Sequence, residues 1–152
     1  LINSAAVDKV QAHIDDAVQR GAQLRTGGKP HALGGTFFEP TLLTHVPHDA
    51  RVAREETFGP LAALLRFEQD DEAIRLANDT EYGLAAYLYT QNLQRIFRVS
   101  EALEYGMVGV NTGLISNEVA PFGGVKSSGL GREGSRYGIE DYLEIKYLNI
   151  SL

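Results

Sequence analysis

Three groups of residues in this 152-residue chain have types and spacings that could do chemistry. The first is "PFGGVKSSGLGREG", residues 121–134, where Gly129, Gly131 and Gly134 match G-x-G-x-x-G, the spacing of a loop that cradles a dinucleotide pyrophosphate. Such a loop needs a strand before it, a helix opening within it and an acidic residue about 20 positions later for the ribose. Here Lys126-Ser127-Ser128 precedes the glycines, and only 18 residues follow Gly134. A P-loop fails as well, because Val125 stands before Lys126 where that motif has glycine. The glycines read instead as a tightly folded connection that uses positive φ angles and close backbone approach.

The second group is His45 and His48. Two imidazoles three residues apart, in an irregular stretch containing Pro47, lack the third ligand of defined spacing that a metal site requires. They read as loop histidines, and no metal is expected. The third group is "REETFGPLAAL", in which Glu55 and Glu56 are followed by Phe58-Gly59-Pro60, a turn just before an apolar run. Glu56 and Phe58, two residues apart at a sheet edge, could grip a sugar hydroxyl and cover a flat ring. The carboxylate would accept hydrogen bonds and the ring would offer a stacking face. An ordinary solvated acidic turn is the competing reading.

Bulk properties limit the function classes. Hydrophobic residues at 43% and charged residues at 22% describe a globular chain, not a disordered one. A net charge of −6 without any cluster of Lys and Arg argues against nucleic-acid binding. No apolar run approaches the roughly 20 residues of a membrane span. There is no cysteine, which removes disulfides, thiolate metal sites and any cysteine nucleophile from this chain, and which fits a reducing compartment, with the cytoplasm expected. The opening "LINSAAVDKV" lacks an initiator Met and runs almost directly into a helix, as a piece of a longer polypeptide would.

The elements that must position these groups follow from periodicity. Ser4 is an N-cap candidate, and Val7, Val10, Ile14 and Val18 recur at helical spacing until Gly21. "AQLRTGG" predicts a short strand ending in a glycine turn, and "TFFEPTLLTHV" an extended stretch interrupted by Pro40. "LAALLRF" predicts a buried strand. Asp70 and Asp71 open a helix with Ala73, Ile74 and Ala77 on one face. "YGLAAYLYT" predicts a strand, "NLQRIFRVSEAL" a helix with Ile96, Val99 and Leu103 inward, and "GMVGVNT" a third strand. Strand, helix, strand, helix, strand is the alternation of an α/β fold, a parallel sheet with flanking helices. The tail "YLEIKYLNISL" alternates with a slip near Tyr147 that a bulge would explain. So apolar a terminal strand is expected to pair with a partner chain, since an open edge recruits one.

Four motifs in register, "EETFGP", "NDTEYGLAAYLYT", "GMVGVNTG" and "PFGGVKSSGLGREG", resemble the C-terminal part of an aldehyde dehydrogenase, over essentially the whole chain. The closing run from Asn111 looks most like the succinate-semialdehyde branch. The resemblance implies that Glu56 binds the nicotinamide ribose hydroxyls and that Phe58 packs beside the nicotinamide ring. It implies that Ser116 helps to hold the distal carboxylate of the aldehyde substrate and that Phe122 lines the aromatic mouth. Residues 1–137 would belong to the catalytic domain and 138–152 to an oligomerisation tail strand, giving a homo-oligomer. The cofactor implied is NAD or NADP. The family's thiol nucleophile, general base and oxyanion-hole asparagine lie upstream in full-length members, so no catalytic residue is expected here and the chain alone should be inert. The remainder of the parent chain would be its partner. A non-catalytic interaction module derived from the same fold is the alternative, favoured by the missing cysteine.

Overall fold

The computed structural model describes residues 1–152, and its first element is helix α1 (Ser4–Gln19). Its N-cap is Asn3, not Ser4: the Asn3 backbone is extended and its side chain accepts from the Ala6 N–H at 2.9 Å, satisfying a helix-terminal donor. Both residue types cap well, and the backbone conformation decides between them. The helix buries Val10, His13, Ile14 and Ala17. Val18, expected on that face, is 43% exposed, because one residue past Ala17 the helix has turned about 100° away.

By Cα packing the chain divides into two units, Leu1–Gln69 and Asp70–Leu152. In the first, β1 (Gln23–Thr26) runs antiparallel to β2 (Thr41–Thr44), and β2 runs parallel to β3 (Leu61–Ala63), in the order β1-β2-β3. The expected glycine turn closes β1, where Gly27 and Gly28 have φ of 70° and 83°. A Cβ on Gly27 would collide with the Pro40 carbonyl, so only glycine fits that approach. Pro40 stands just outside β2, where it breaks no ladder. The core joins Val10, Ile14 and Ala17 of α1 to Ala22, Phe38, Leu43, Val46 and Ala50. The one-turn helix α2 (Arg51–Arg54) is tied to α1 by the Arg51 N–H, which donates to Asp16 Oδ2 at 2.8 Å.

The second unit holds α3 (Asp70–Asn78), β4 (Tyr82–Gly83), β5 (Ala85–Leu88), α4 (Leu93–Ala102), β6 (Met107–Val110), β7 (Val125–Lys126) and a 3-10 turn at Glu140–Tyr142. The β5-α4-β6 segment is the expected parallel unit, with Ala85 opposite Met107 and Leu88 opposite Val110. Asn92 caps α4 by accepting from the Arg95 N–H at 3.0 Å, and Val99 is its buried residue. The Asn78 side chain joins the ends of α3 and α4, accepting from the Glu104 N–H at 2.9 Å and donating to the Ala102 carbonyl at 2.8 Å.

Three expectations need correction. The strand expected to be buried at "LAALLRF" is only Leu61–Ala63, and it is not buried, because β3 lies at the edge of its sheet; Leu64 and Phe67 beyond it are exposed. The strand expected across residues 82–90 splits: β4 pairs antiparallel with β7, whereas β5 pairs parallel with β6. Gly83 permits the split, because a Cβ there would strike the Glu104 carbonyl and the Val125 side chain. The parallel pairing is therefore present as two separate parallel pairs, β2–β3 and β5–β6, and not as one continuous sheet within the chain. The tail strand does not form within the chain either. Residues 143–152 make no ladder and are exposed, Ile145 fully so. A strand must fill its backbone donors and acceptors from a neighbour, and no element of this chain supplies one there.

Candidate functional site

The loop between α2 and β3 carries Glu56 and Phe58. Glu55, the C-cap of α2, has an extended backbone at φ −106° and ψ 134°. Successive side chains of an extended segment point to opposite sides. Glu55 and Thr57 both point at His13, whereas Glu56 and Phe58 are exposed, Phe58 at 81%. Downstream, the Thr41 N–H donates to the Pro60 carbonyl at 2.8 Å, fastening the loop to β2. Gly59 lies against Val10 of α1 with no room for a Cβ.

The polar side of this loop is closely satisfied. Arg51 donates from Nε and Nη2 to Glu55 Oε1 and Oε2, at 2.9 and 3.1 Å. These bonds, and then the hydrogen bond from His13, pull the Glu55 carboxyl down to about 2. Glu55 is thus an acceptor-only carboxylate at neutral pH, which places the hydrogen of the His13 contact on Nε2, donating to Glu55 Oε2 at 3.1 Å. The other ring nitrogen, Nδ1, shares a hydrogen bond with the Thr57 hydroxyl at 2.6 Å, as acceptor when the ring is neutral. His13 is fully buried with both nitrogens used. It is the residue that sequence reasoning passed over. Its signal was a polar side chain in the middle of the apolar stripe of α1.

The glycine-rich segment folds as the tight connection its composition predicts, although the two-residue strand β7 does precede the glycines where none was expected. Gly129, Gly131 and Gly134 have φ of 105°, 84° and 65°, and no helix opens within the segment. Phe122 and Glu133 exchange backbone hydrogen bonds at 2.9 and 2.7 Å, closing it into a loop. Arg132 spans the interior, donating from Nη1 to the carbonyls of Gly124 and Gly131, each at 2.7 Å. Lys126 is equally committed: its ammonium reaches the Asn78 and Thr80 carbonyls at 2.9 and 3.2 Å and pairs with Glu104. All three of its donors have protein acceptors.

Ser116 lies on the connection that leaves the carboxyl end of β6. Asn111, at φ 55°, closes the β5–β6 pair by accepting from the Thr90 N–H at 2.9 Å and donating to its carbonyl at 2.8 Å. The chain then folds back so that Ile115 packs on Gly109 of β6. Ser116 follows this anchor and is exposed, while Phe122 is half-buried. The region beyond the carboxyl ends of parallel strands is where α/β folds place ligands. His45, at φ 56°, contacts the Thr44 hydroxyl, and no group of three or more His, Cys, Asp or Glu side chains is arranged to hold a metal ion.

The parallel pairs and their helices define an α/β protein, and the loop between α2 and β3 exposes a carboxyl side chain, Glu56, and an aromatic ring, Phe58, two residues apart. The chain belongs to the aldehyde dehydrogenase family, whose profile matches residues 1–148. It is 68% identical over 148 residues to glutarate-semialdehyde dehydrogenase of Pseudomonas aeruginosa, covering 97% of this chain and 31% of that protein. It is 64% identical over 152 residues to the NADP+ succinate-semialdehyde dehydrogenase GabD of Escherichia coli, covering 100% of this chain and 32% of that protein. The crystal structure of succinate-semialdehyde dehydrogenase from Burkholderia pseudomallei matches with a TM-score of 0.94 and 71% identity, over 97% of this chain and 31% of that one. The chain thus spans about a third of the length of these relatives.

Proposed function

We propose that this chain is the C-terminal portion of an NAD(P)-dependent aldehyde dehydrogenase that oxidises succinate semialdehyde to succinate. The observation that carries the reading is the loop on which Glu56 and Phe58 are both exposed while their neighbours Glu55 and Thr57 are held by His13. Glu56 accepts hydrogen bonds from the nicotinamide ribose hydroxyls, and Phe58 covers one edge of the nicotinamide ring. When bound, the nicotinamide supplies the hydride acceptor. The cofactor is NAD or NADP; the name of the Escherichia coli relative specifies NADP.

Ser116 donates to the distal carboxylate of the aldehyde, and Phe122 lines the aromatic mouth. The names of the relatives, succinate- and glutarate-semialdehyde dehydrogenases, support a substrate with a carboxylate at the far end. The chain has no cysteine, so the thiol nucleophile and the general base come from the remainder of the polypeptide and the chain alone is inert. Residues 1–137 serve the catalytic domain. Residues 138–152 supply an oligomerisation strand that pairs with a second copy, in a cytoplasmic homo-oligomer.

Glu56→Gln in the full-length polypeptide tests the reading. The substitution keeps the shape and removes the charge, costing the ribose contacts roughly 1.5–3 kcal/mol in total. Cofactor affinity and single-turnover hydride transfer should both fall. Unchanged values would reduce Glu56 to a surface acid and end this assignment. A non-catalytic module built on the same fold is the second reading, favoured by the absent cysteine. Intact mass separates the two, because a polypeptide about three times this length matches the enzymes, of which this chain spans 31–32%.

A further inference from the structure

We infer that His13 is the positioning residue of the cofactor loop, acting through Glu56 without touching the cofactor itself; the inference rests on the role proposed above for Glu56. The argument begins with sidedness. Glu55 and Thr57 flank Glu56, and both side chains end on one imidazole, at 3.1 and 2.6 Å. Two neighbours fixed on one side leave the residue between them a single direction to point, away from α1. Glu56 and Phe58 are exposed on that account.

The imidazole is itself enclosed, with both ring nitrogens engaged. It is fully buried on α1, whose other buried residues, Val10, Ile14 and Ala17, belong to the core of the first unit. Histidine suits the task because its two ring nitrogens lie on opposite edges of a rigid ring. One can donate to the Glu55 carboxylate while the other accepts from the Thr57 hydroxyl. Arg51 alone would hold Glu55 to its own helix turn, since its contacts span only four residues. The His13 contacts span 42 and 44 residues and are what joins the loop to α1 through side chains. A carboxylate held in place before the cofactor arrives avoids the cost of ordering the loop on binding.

The test uses the full-length polypeptide with NADP+ and four variants: Thr57→Val, His13→Phe, His13→Gln and Glu56→Gln. Thr57→Val keeps shape and deletes the hydroxyl; His13→Phe fills the buried volume and deletes both contacts. In the cofactor-free protein, amide exchange over residues 55–59 should rise about ten-fold in Thr57→Val, the effect of one buried hydrogen bond lost. Exchange in β2 should not move. The NADP+ dissociation constant should rise by a similar factor while the aldehyde KM stays put, and His13→Gln, whose amide both donates and accepts, should recover part of the loss.

The decisive measurement is a double-mutant cycle. Combined with Glu56→Gln, Thr57→Val should weaken NADP+ binding little further, because its effect passes through the missing carboxylate. If the losses add, or if loop exchange is unchanged, His13 is a structural core histidine and the inference is overturned while the Glu56 assignment stands. If Glu56→Gln alone leaves NADP+ affinity intact, both fall together. Should His13→Phe fail to fold, Thr57→Val, on a half-buried loop residue, carries the same comparison.

Discussion

The two units of the chain are stabilised differently. Leu1–Gln69 closes a core in which Leu43, Ala17 and Ala50 have no solvent exposure at all. Asp70–Leu152 buries a single hydrophobic residue, Val99, and leaves Leu114, Val119, Leu130 and Ile145 from 74% to 100% exposed. Its shape is specified instead by polar tethers: Asn78 between helix ends, Asn111 across the parallel pair, Arg132 and Lys126 on backbone carbonyls. Such bonds dictate geometry but contribute only about 0.5–1.5 kcal/mol each. The second unit thus leaves many large apolar side chains uncovered within the chain. In the proposed enzyme they are covered by the rest of the polypeptide and by a second copy. The first unit thus rests on apolar packing, whereas the second rests on hydrogen bonds from polar side chains.

The largest expected effect sets the two cores against each other. Leu43→Ala should cost the first unit about 2–5 kcal/mol, because a fully buried side chain leaves a cavity that the sheet cannot collapse. Val99→Ala should cost the second unit only about 1–2 kcal/mol. Native-state hydrogen exchange reads each unit separately, through β2 amides for one and β5–β6 amides for the other. Equal losses would mean that the second unit is as closed as the first, and the contrast would dissolve.

A smaller effect tests what the second unit is for. Ser116→Ala in the full-length polypeptide should leave exchange in β5–β6 unchanged while lowering kcat/KM for succinate semialdehyde about ten-fold, the loss of one hydrogen bond to a charged group. A simple aliphatic aldehyde of similar length should hardly respond. The same loss on both substrates would make Ser116 a support for its loop and not a reader of the carboxylate.

The smallest effect sharpens the view of the first unit as a pinned site. Glu55 has its carboxyl lowered from 4.5 to about 2 by Arg51 and then His13. A depressed carboxylate contributes stability that is present above 4.5 and is lost as pH falls toward 2. A carboxyl NMR titration should find that low midpoint, and Arg51→Gln should move it back toward 4.5, so that the loop loosens at higher pH than in the native protein. A midpoint that stays near 2 would transfer the cause to His13.

Much of the local structure could be read directly. The Gly27-Gly28 turn, the position of Pro40, helix α4 and the positive-φ glycines of residues 129–134 all follow from residues acting on their own backbone. The spacing of Glu56 and Phe58 and the Gly59-Pro60 that follows are local as well, and the structure leaves both side chains exposed. The His13 clamp could not be read in this way, because its partners lie 42 and 44 residues away and nothing at residue 13 names them.

By itself, then, the sequence determined the α/β character, the places of the main helices, the turn chemistry and the lack of a cysteine nucleophile, each a matter of periodicity, backbone freedom or composition. Tertiary structure alone decided that Asn3 and not Ser4 caps α1, that residues 82–88 split between two pairings, that the tail finds no partner strand in the chain, and that a buried histidine aims the loop. Those outcomes depend on which distant groups meet in space. A short stretch of sequence fixes what a side chain can bond to, and only the folded chain fixes what comes within 3 Å of it.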